Sequence, residues 1–473
     1  MQYSVVTKSN LDKIVFRIDA EFYHPYFIQL EKKLDSIETA TIRKANGKLD
    51  CSAFYPSIVE YYNFNKMGVP FLRVDEIQEG LINLTANTAF LPSNVVYENR
   101  NTIARCYDGD IVIAKGGNTI AKVALLTNEY KEYSLCRDLI VLRTAKLSGL
   151  IRFYLWIFLH SEYGKKSLLR TASQTGQPHL TIEALYELRI PKFSMEFQGK
   201  FKELYLIIKK QQIASLQAYE KAEQILLSEL GLVDWKPKHQ LSFVKNFSDS
   251  KTADRIDAEY FQPMYDELIE KVKQYGNGYK SVGDCVRIKD RNLVPKDDIS
   301  YKYIELANIS ANGHINGFIE AVGKNLPTRA RLTVNTGDLI VSSIEGSLSS
   351  IALINGELDN ALCSTGFYVI NSDTLNSETL LVLLKSPVGH LQLKKGCSGT
   401  ILTAINKEEF KRILLPRISE SIQEQIKQKI SEMYKAKSAS KKLLDIAKRG
   451  VELAIEQGEK EAQHWINEDL ETA

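Results

Sequence analysis

Between Met195 and Leu230 the apolar residues fall at helical intervals: Phe197, Phe201, Leu204 and Ile208, then Leu216, Tyr219, Leu226 and Leu230. Lys and Glu occupy the other face, no Pro interrupts the run, and Gly231 and Pro237 close it. The pattern predicts one amphipathic helix, roughly 50 Å long at about 1.5 Å per residue. A small domain has no need of that length, so the helix is expected to be a spacer with a partner. A second stripe starts at Ser421, with Ile422, Ile426, Ile430, Met433, Leu444, Ala447, Val451 and Ala454 in register. Lys437 and Ser440 interrupt its middle. The seam expected between the two helices is Phe201, Leu204, Ile208 and Leu216 against Ile426, Ile430, Met433, Leu444 and Val451.

A copy of one pattern precedes each helix. Arg17-Ile-Asp-Ala-Glu-Phe-Tyr-His-Pro25 returns as Arg255-Ile-Asp-Ala-Glu-Tyr-Phe-Gln-Pro263. Each block leads into a short helical run, Phe27 to Leu34 and Tyr265 to Val272, and then into a β-rich stretch, Phe71 to Ile77 and Tyr303 to Ile309. Gly109-Asp-Ile-Val-Ile113 matches Gly337-Asp-Leu-Ile-Val341, and Val123 to Leu126 matches Ile351 to Ile354. The copies close on Leu188-Arg-Ile-Pro191 and Ile413-Leu-Leu-Pro416, each Pro just ahead of a long helix. A period of this length exceeds any solenoid repeat, so a whole domain is duplicated. Short Val/Ile/Thr/Tyr runs between Gly, Asn and Asp predict mixed α+β heads rich in strands. The expected layout is a head over 1–194, a helix over 195–233, a second head over 234–418 and a second helix over 419–473.

With 473 residues there is room for two to four domains. A net charge of +3 is small, so affinity for a polyanion has to come from local patches. Six cysteines (51, 106, 136, 285, 363 and 397) form no CxxC pair and no histidines gather near them, so neither a metal site nor a disulfide framework is expected. The start MQYSVVTKSN lacks a signal-peptide pattern, and the most apolar run, Phe153 to Leu159, is too short to cross a bilayer. A cytoplasmic protein without membrane contact is expected. Catalytic signatures also fail. The Asp19/Glu21 and Asp257/Glu259 pairs follow an Arg at two residues' distance, which fits an internal ion pair or helix cap better than paired-carboxylate chemistry. Gly164-Lys-Lys-Ser167 has Leu159 where a phosphate-binding loop needs its first Gly. No GxSxG, HExxH or Asn/Asp-Pro-Pro-aromatic motif is present. No catalytic residue is therefore assigned, and a binding protein is expected.

The chemistry that remains suits DNA. Lys115, Asn118, Thr119 and Lys122 occupy the turn after the first Gly-Asp strand, and Ser343, Ser347 and Ser349 the turn after the second. The Ser173-Gln-Thr-Gly-Gln-Pro-His179 loop offers Gln174, Thr175, Gln177 and His179; its counterpart offers Ser398 and Thr400, preceded by Lys394 and Lys395. Gln and Asn can pair with base edges, Ser and Thr with bases or phosphates, and cations such as Arg73 with the backbone. Arg105, Arg137 and Lys289 are further candidate cations. The two copies share a frame and differ in these loops, as expected if each reads a different short sequence.

The doubled Arg-Ile-Asp-Ala-Glu block, the Gly-Asp strands, the Thr-Gly-Gln and Ser-Gly-Thr loops, the Pro at each head's end and the two long helices together resemble the specificity subunit of a Type I restriction–modification system. The resemblance spans nearly the whole chain and lies in the order head, helix, head, helix. It implies an α+β fold in which two target recognition domains are held apart by an antiparallel coiled coil. Each head would read one half of a bipartite, asymmetric site in double-stranded DNA. The helices would dock two methyltransferase subunits, which bring S-adenosylmethionine, and a translocase-nuclease subunit working with ATP and Mg would join them. No cofactor is expected on this chain itself. A specificity-type subunit of a modification-only or other anti-phage system is the neighbouring alternative. A nuclease or methyltransferase with an unrecognised active site is the alternative from another class.

Overall fold

In the computed structural model, which describes residues 5–7, 11, 17–53, 56–78, 80–85, 87–172, 178–290, 292–310, 312–399 and 403–471, the runs after Gly109-Asp110 and Gly337-Asp338 are each an interior strand of a sheet. In the first copy the strand order is Lys48–Cys51, Leu139–Arg143, Ile111–Ala114, Val123–Leu125, Leu81–Ile82, Ile77–Gln78. In the second it is Arg287–Lys289, Phe367–Asn371, Leu339–Ser342, Ile351–Leu353. Each copy has a second, four-stranded sheet. Its order is Phe90–Leu91, Val69–Leu72, Tyr133–Leu135, Arg105–Cys106 in one and Ile319–Val322, Ser300–Ile304, Leu362–Ser364, Ala330–Thr333 in the other. The middle pair is parallel in both. The duplication seen in the sequence is thus a duplication of topology, in heads of mixed sheets and helices.

Period-two alternation explains why these strands are apolar on both faces. Ile111 and Ile113 join the core that holds the helices, while Val112 and Ala114 join the core of the second sheet. Leu339 and Val341 face one core and Ile340 the other in the same way. The Gly-Asp dipeptide has a job of its own. Gly109 and Gly337 take φ of 78° and 87°, a region glycine enters without penalty. The Asp beside each is buried and closes the turn, Asp110 accepting from Tyr107 N and Asp338 from Asn335 N. A cation neutralises each, Arg143 at 3.1 Å and Lys289 at 2.6 Å. Lys289, a candidate phosphate contact by sequence, therefore belongs to the core of the turn.

The chain divides into two compact units, Met1–Gln211 with Ser438–Ala473 and Gln212–Lys437. Both long helices are continuous, Met195–Glu229 and Glu420–Gln457, so each unit owns half of each helix. In the first unit Phe197, Phe201, Leu204 and Ile208 share a core with Leu443, Ala447, Val451 and Ala454, and Leu444 packs against it. In the second, Ala218, Ala222 and Leu226 share a core with Ile426, Ile430 and Met433. In both, the start of one helix meets the end of the other, which makes the pair antiparallel. Gly231 ends the first helix at φ 63°, with Leu232 N bonding Leu227 O across the turn.

Two expectations about the seam are corrected. Leu216 belongs to neither core and is only half-buried; Ser215 takes the seam position and donates to Met433 O at 3.1 Å. Buried positions 197, 201, 204, 208, 215, 218 and 222 follow a seven-residue repeat, so the residue seven after Ile208 faces inward, whatever its polarity. Ser440 is likewise buried on the stripe and does not interrupt it. The second helix also stops short of the chain's end. Gly458, at φ 100°, breaks it, and a separate helix Glu459–Glu471 turns back so that Ile466 packs beside Gly450. No described helix is long and apolar enough to cross a membrane.

Candidate nucleic-acid interface

Both units bring the same two loops together. In the first, the strand Ile111–Ala114 runs into Lys115 and the tight turn Gly117–Thr119. Leu180 N donates to Lys115 O at 2.8 Å, and Gly116 pairs with His179. Gly116 is required there, because a Cβ would collide with the His179 ring. In the second unit the strand Leu339–Ser342 runs into the turn Glu345–Ser347. Ile405 N donates to Ser343 O at 2.8 Å, and Glu345 N to Thr403 O at 3.0 Å. Lys115 and Ser343, Leu180 and Ile405 are equivalent positions. The turn after the interior strand therefore anchors the far end of the closing loop in each head.

In the first unit this arrangement gathers charge. Lys115, Arg137 and His179 line one open depression with Cys51, Asp138, Thr181 and Ile182. Lys115 N bonds Asp138 O at 2.7 Å, which fixes the lysine at its rim. Lys122 is exposed at the end of the turn, and the Thr119 hydroxyl donates back to Gly116 O at 3.3 Å. The Asn118 side chain and Gln174, Thr175 and Gln177 lie outside the described residues, as does Thr400 in the second unit. Arg73 is not part of the depression. Its guanidinium donates to Asn87 O at 2.8 Å and to Glu76 at 3.3 Å.

The second unit presents hydroxyls in place of cations. Ser343 Oγ donates to Gly366 O at 2.9 Å, and Ser347 Oγ lies 2.9 Å from Ser342 Oγ. Ser349 is exposed, with its carbonyl accepting from Lys385 Nζ at 2.7 Å; Ser398 is exposed on the short strand Cys397–Ser398. Burial, opposed by Glu223, pulls the Lys385 ammonium down to about 7. Sequence reasoning missed Lys385, which lies in the helix Ser377–Lys385 with no local mark of a role. Lys394 and Lys395 are engaged elsewhere: each lies 3.0 Å from a carboxylate, Glu259 and Asp266 respectively. They face the doubled block. Gly164 sits within the helix Glu162–Thr171, pressed on Phe158 O, where its role is packing.

The Arg-Ile-Asp block is an internal ion pair in both copies, Arg17 with Asp19 at 2.5 Å and Arg255 with Asp257 at 2.7 Å. Hydrogen bonding from Arg17 holds the Asp19 carboxyl down at about 2, and Arg255 lowers that of Asp257. Among the described residues no cluster of His, Cys, Asp and Glu could hold a metal ion.

No family model matches the chain, and no curated protein does. Solved structures of Type I specificity subunits match it across nearly its full length at low identity. The S subunit of a Type I restriction–modification system from M. genitalium is 12% identical, with 89% of this chain and 96% of that one covered, at a TM-score of 0.37. The HsdS subunit from Thermoanaerobacter tengcongensis is 13% identical, with 87% and 97% covered, at 0.26. A structure described by the complex assembly and conformational transition of the type I system is 12% identical, with 89% and 97% covered, at 0.24.

Proposed function

We propose that the chain is the DNA-reading, non-catalytic subunit of a Type I restriction–modification complex. Each head reads one half of a bipartite site in double-stranded DNA, and the long helices dock two methyltransferase subunits. The observation that supports this best is the pairing of one frame with two different loop chemistries. Both heads join the turn after the interior strand to the closing loop by the same backbone bond. One then offers Lys115, Arg137 and His179, the other Ser349 and Ser398. A frame that fixes loops through backbone and leaves their side chains free to differ suits sequence readout, in which base contacts specify and phosphate contacts position. The outer face of Met195–Glu229 leaves Leu206, Ile207 and Ile213 exposed, an apolar surface that calls for a protein partner. S-adenosylmethionine would arrive with the methyltransferases, and ATP and Mg with a translocase-nuclease, in the cytoplasm where such complexes meet DNA.

The test is methylation mapping in a host that carries this chain with a methyltransferase encoded beside it. A methylated motif of two short fixed sequences separated by a fixed number of unread bases is expected. A single uninterrupted motif would overturn the assignment of one head to each half. Binding by the purified complex that does not weaken as salt is raised would remove the DNA role altogether.

A further inference from the structure

The doubled block does more than hold itself together. Arg17 Nη1 donates to Ala172 O at 2.7 Å, and Arg255 Nη2 donates to Cys397 O at 2.9 Å. Ala172 caps the helix Glu162–Thr171 and Cys397 caps Pro387–Gly396. Helix C-termini leave carbonyls without intrahelical partners and carry partial negative charge, so a guanidinium is well suited to them. In each copy the Asp of the block accepts from the arginine and from the backbone N of the following aromatic, Phe22 at 3.0 Å and Tyr260 at 3.1 Å. Two cations lie against that aromatic ring. Arg17 and Arg170 lie 5.0 and 4.0 Å from the Phe22 centroid; Arg255 and Lys395 lie 4.4 and 5.0 Å from that of Tyr260. Arg170 and Lys395 come from the capped helices themselves. Between Arg and Asp, Ile18 and Ile256 point outward, 81% and 90% exposed, so burying an apolar side chain does not explain the Arg-Ile-Asp run.

The capped residues are the last before the closing loops, which begin at Ser173 and Ser398. Their far ends are held by Lys115 and Ser343, as described above. We propose that Arg17 and Arg255 are positioning residues for sequence recognition: each clamps the near end of the DNA-reading loop of its own head. This rests on the proposed function. The clamp grips only backbone carbonyls, so it serves any loop sequence, and that accounts for one block beside two unlike loops. Asp and the aromatic hold the guanidinium in place, and Arg170 or Lys395 ties the helix to the same ring.

The experiment uses the complete complex with its methyltransferase, on duplexes that carry the mapped target or one mismatch in either half. Arg255→Met is expected to lower discrimination, the ratio of methylation on cognate and mismatched duplexes, by about tenfold in the half read by the second head. Discrimination in the other half should be unchanged, and Arg17→Met should give the mirror result. Arg255→Lys, which keeps a cation at the helix end, should restore part of the loss. If Arg255→Met does not fold, Asp257→Asn, which loosens the guanidinium and leaves it present, is read in the same way. Wild-type discrimination in both halves of folded variants overturns the clamp alone, as does an equal loss in both halves. A wild-type complex that tells no duplexes apart overturns the functional reading on which the clamp depends.

Discussion

Phe201→Ala probes the seam where its energetics are easiest to work out. The ring is fully buried in the first unit, 5.3 Å from that of Phe197 and 5.9 Å from that of Tyr154. Deletion removes the ring's burial and leaves a cavity between a helix and a head, where neighbours on rigid elements relax little. Losses for such Phe→Ala changes run at about 3–5 kcal/mol. In a unit of about 250 residues that lowers the melting temperature by roughly 6–20 °C. None of the core around Phe201 belongs to Gln212–Lys437, so the second unit should keep its own transition. The assay is calorimetry on the purified chain, beside a control, Leu206→Ala. Leu206 is 53% exposed on the opposite face of the same helix, so its loss should cost no more than about 0.5 kcal/mol. Under the proposed function the control should nonetheless weaken capture of the methyltransferase. A shift below about 1 kcal/mol for Phe201→Ala, or an equal shift of both transitions, would refute the reasoning about the seam.

The salt dependence of DNA binding should separate engaged cations from available ones. Lys115→Ala should flatten the slope of log affinity against log salt by about 1, whereas Lys394→Ala, whose ammonium is bound to Glu259, should leave it unchanged. The low pKa of Lys385 gives a pH signature. Its folded value near 7 lies below the ordinary 10.5, so the folded state binds fewer protons between them and stability rises with pH across that window. Wild type should therefore gain on Lys385→Met as pH is raised from 7 to 10, as read by chemical denaturation; a gap that stays constant would contradict the burial of the ammonium. Gly458→Ala forces a side chain into φ 100° and should cost roughly 1–3 kcal/mol, seen as faster hydrogen exchange over Glu459–Glu471.

What the sequence made legible was what it repeats. The two blocks, the Gly-Asp strands and the prolines ahead of the helices mark equivalent positions, and the shared strand order follows them. The seam was legible where it is aromatic or branched, at Phe201, Ile208 and Ile430, and misread where it is small. Ser215, Ala218 and Ala222 are buried by register alone, and the larger Leu216 drew attention away from them. Three of the candidate cations were misplaced for a different reason. Lys394 and Lys395 read as surface cations because Glu259 and Asp266 lie some 130 residues upstream, beyond any local pattern. Lys289 and Asp338 are separated by 49 positions and pair only once their two strands have both found their register on a third, Phe367–Asn371.

Bonds made to the backbone explain what could diverge and what could not. Asp110 and Asp338 close their turns through backbone N–H groups, Arg17 and Arg255 grip backbone carbonyls, and Leu180 and Ile405 donate from backbone to backbone. Each of these bonds constrains the residue that supplies the side chain and leaves the residue that supplies only backbone open. The constrained residues are those that recur in both copies, the Asp of the Gly-Asp turn and the Arg and Asp of the block. The open ones are the loop positions, where Lys115 stands opposite Ser343. Under the proposed function, a head built this way could change its reading loops without disturbing its core, and two heads in one chain could come to read different sequences on a single frame.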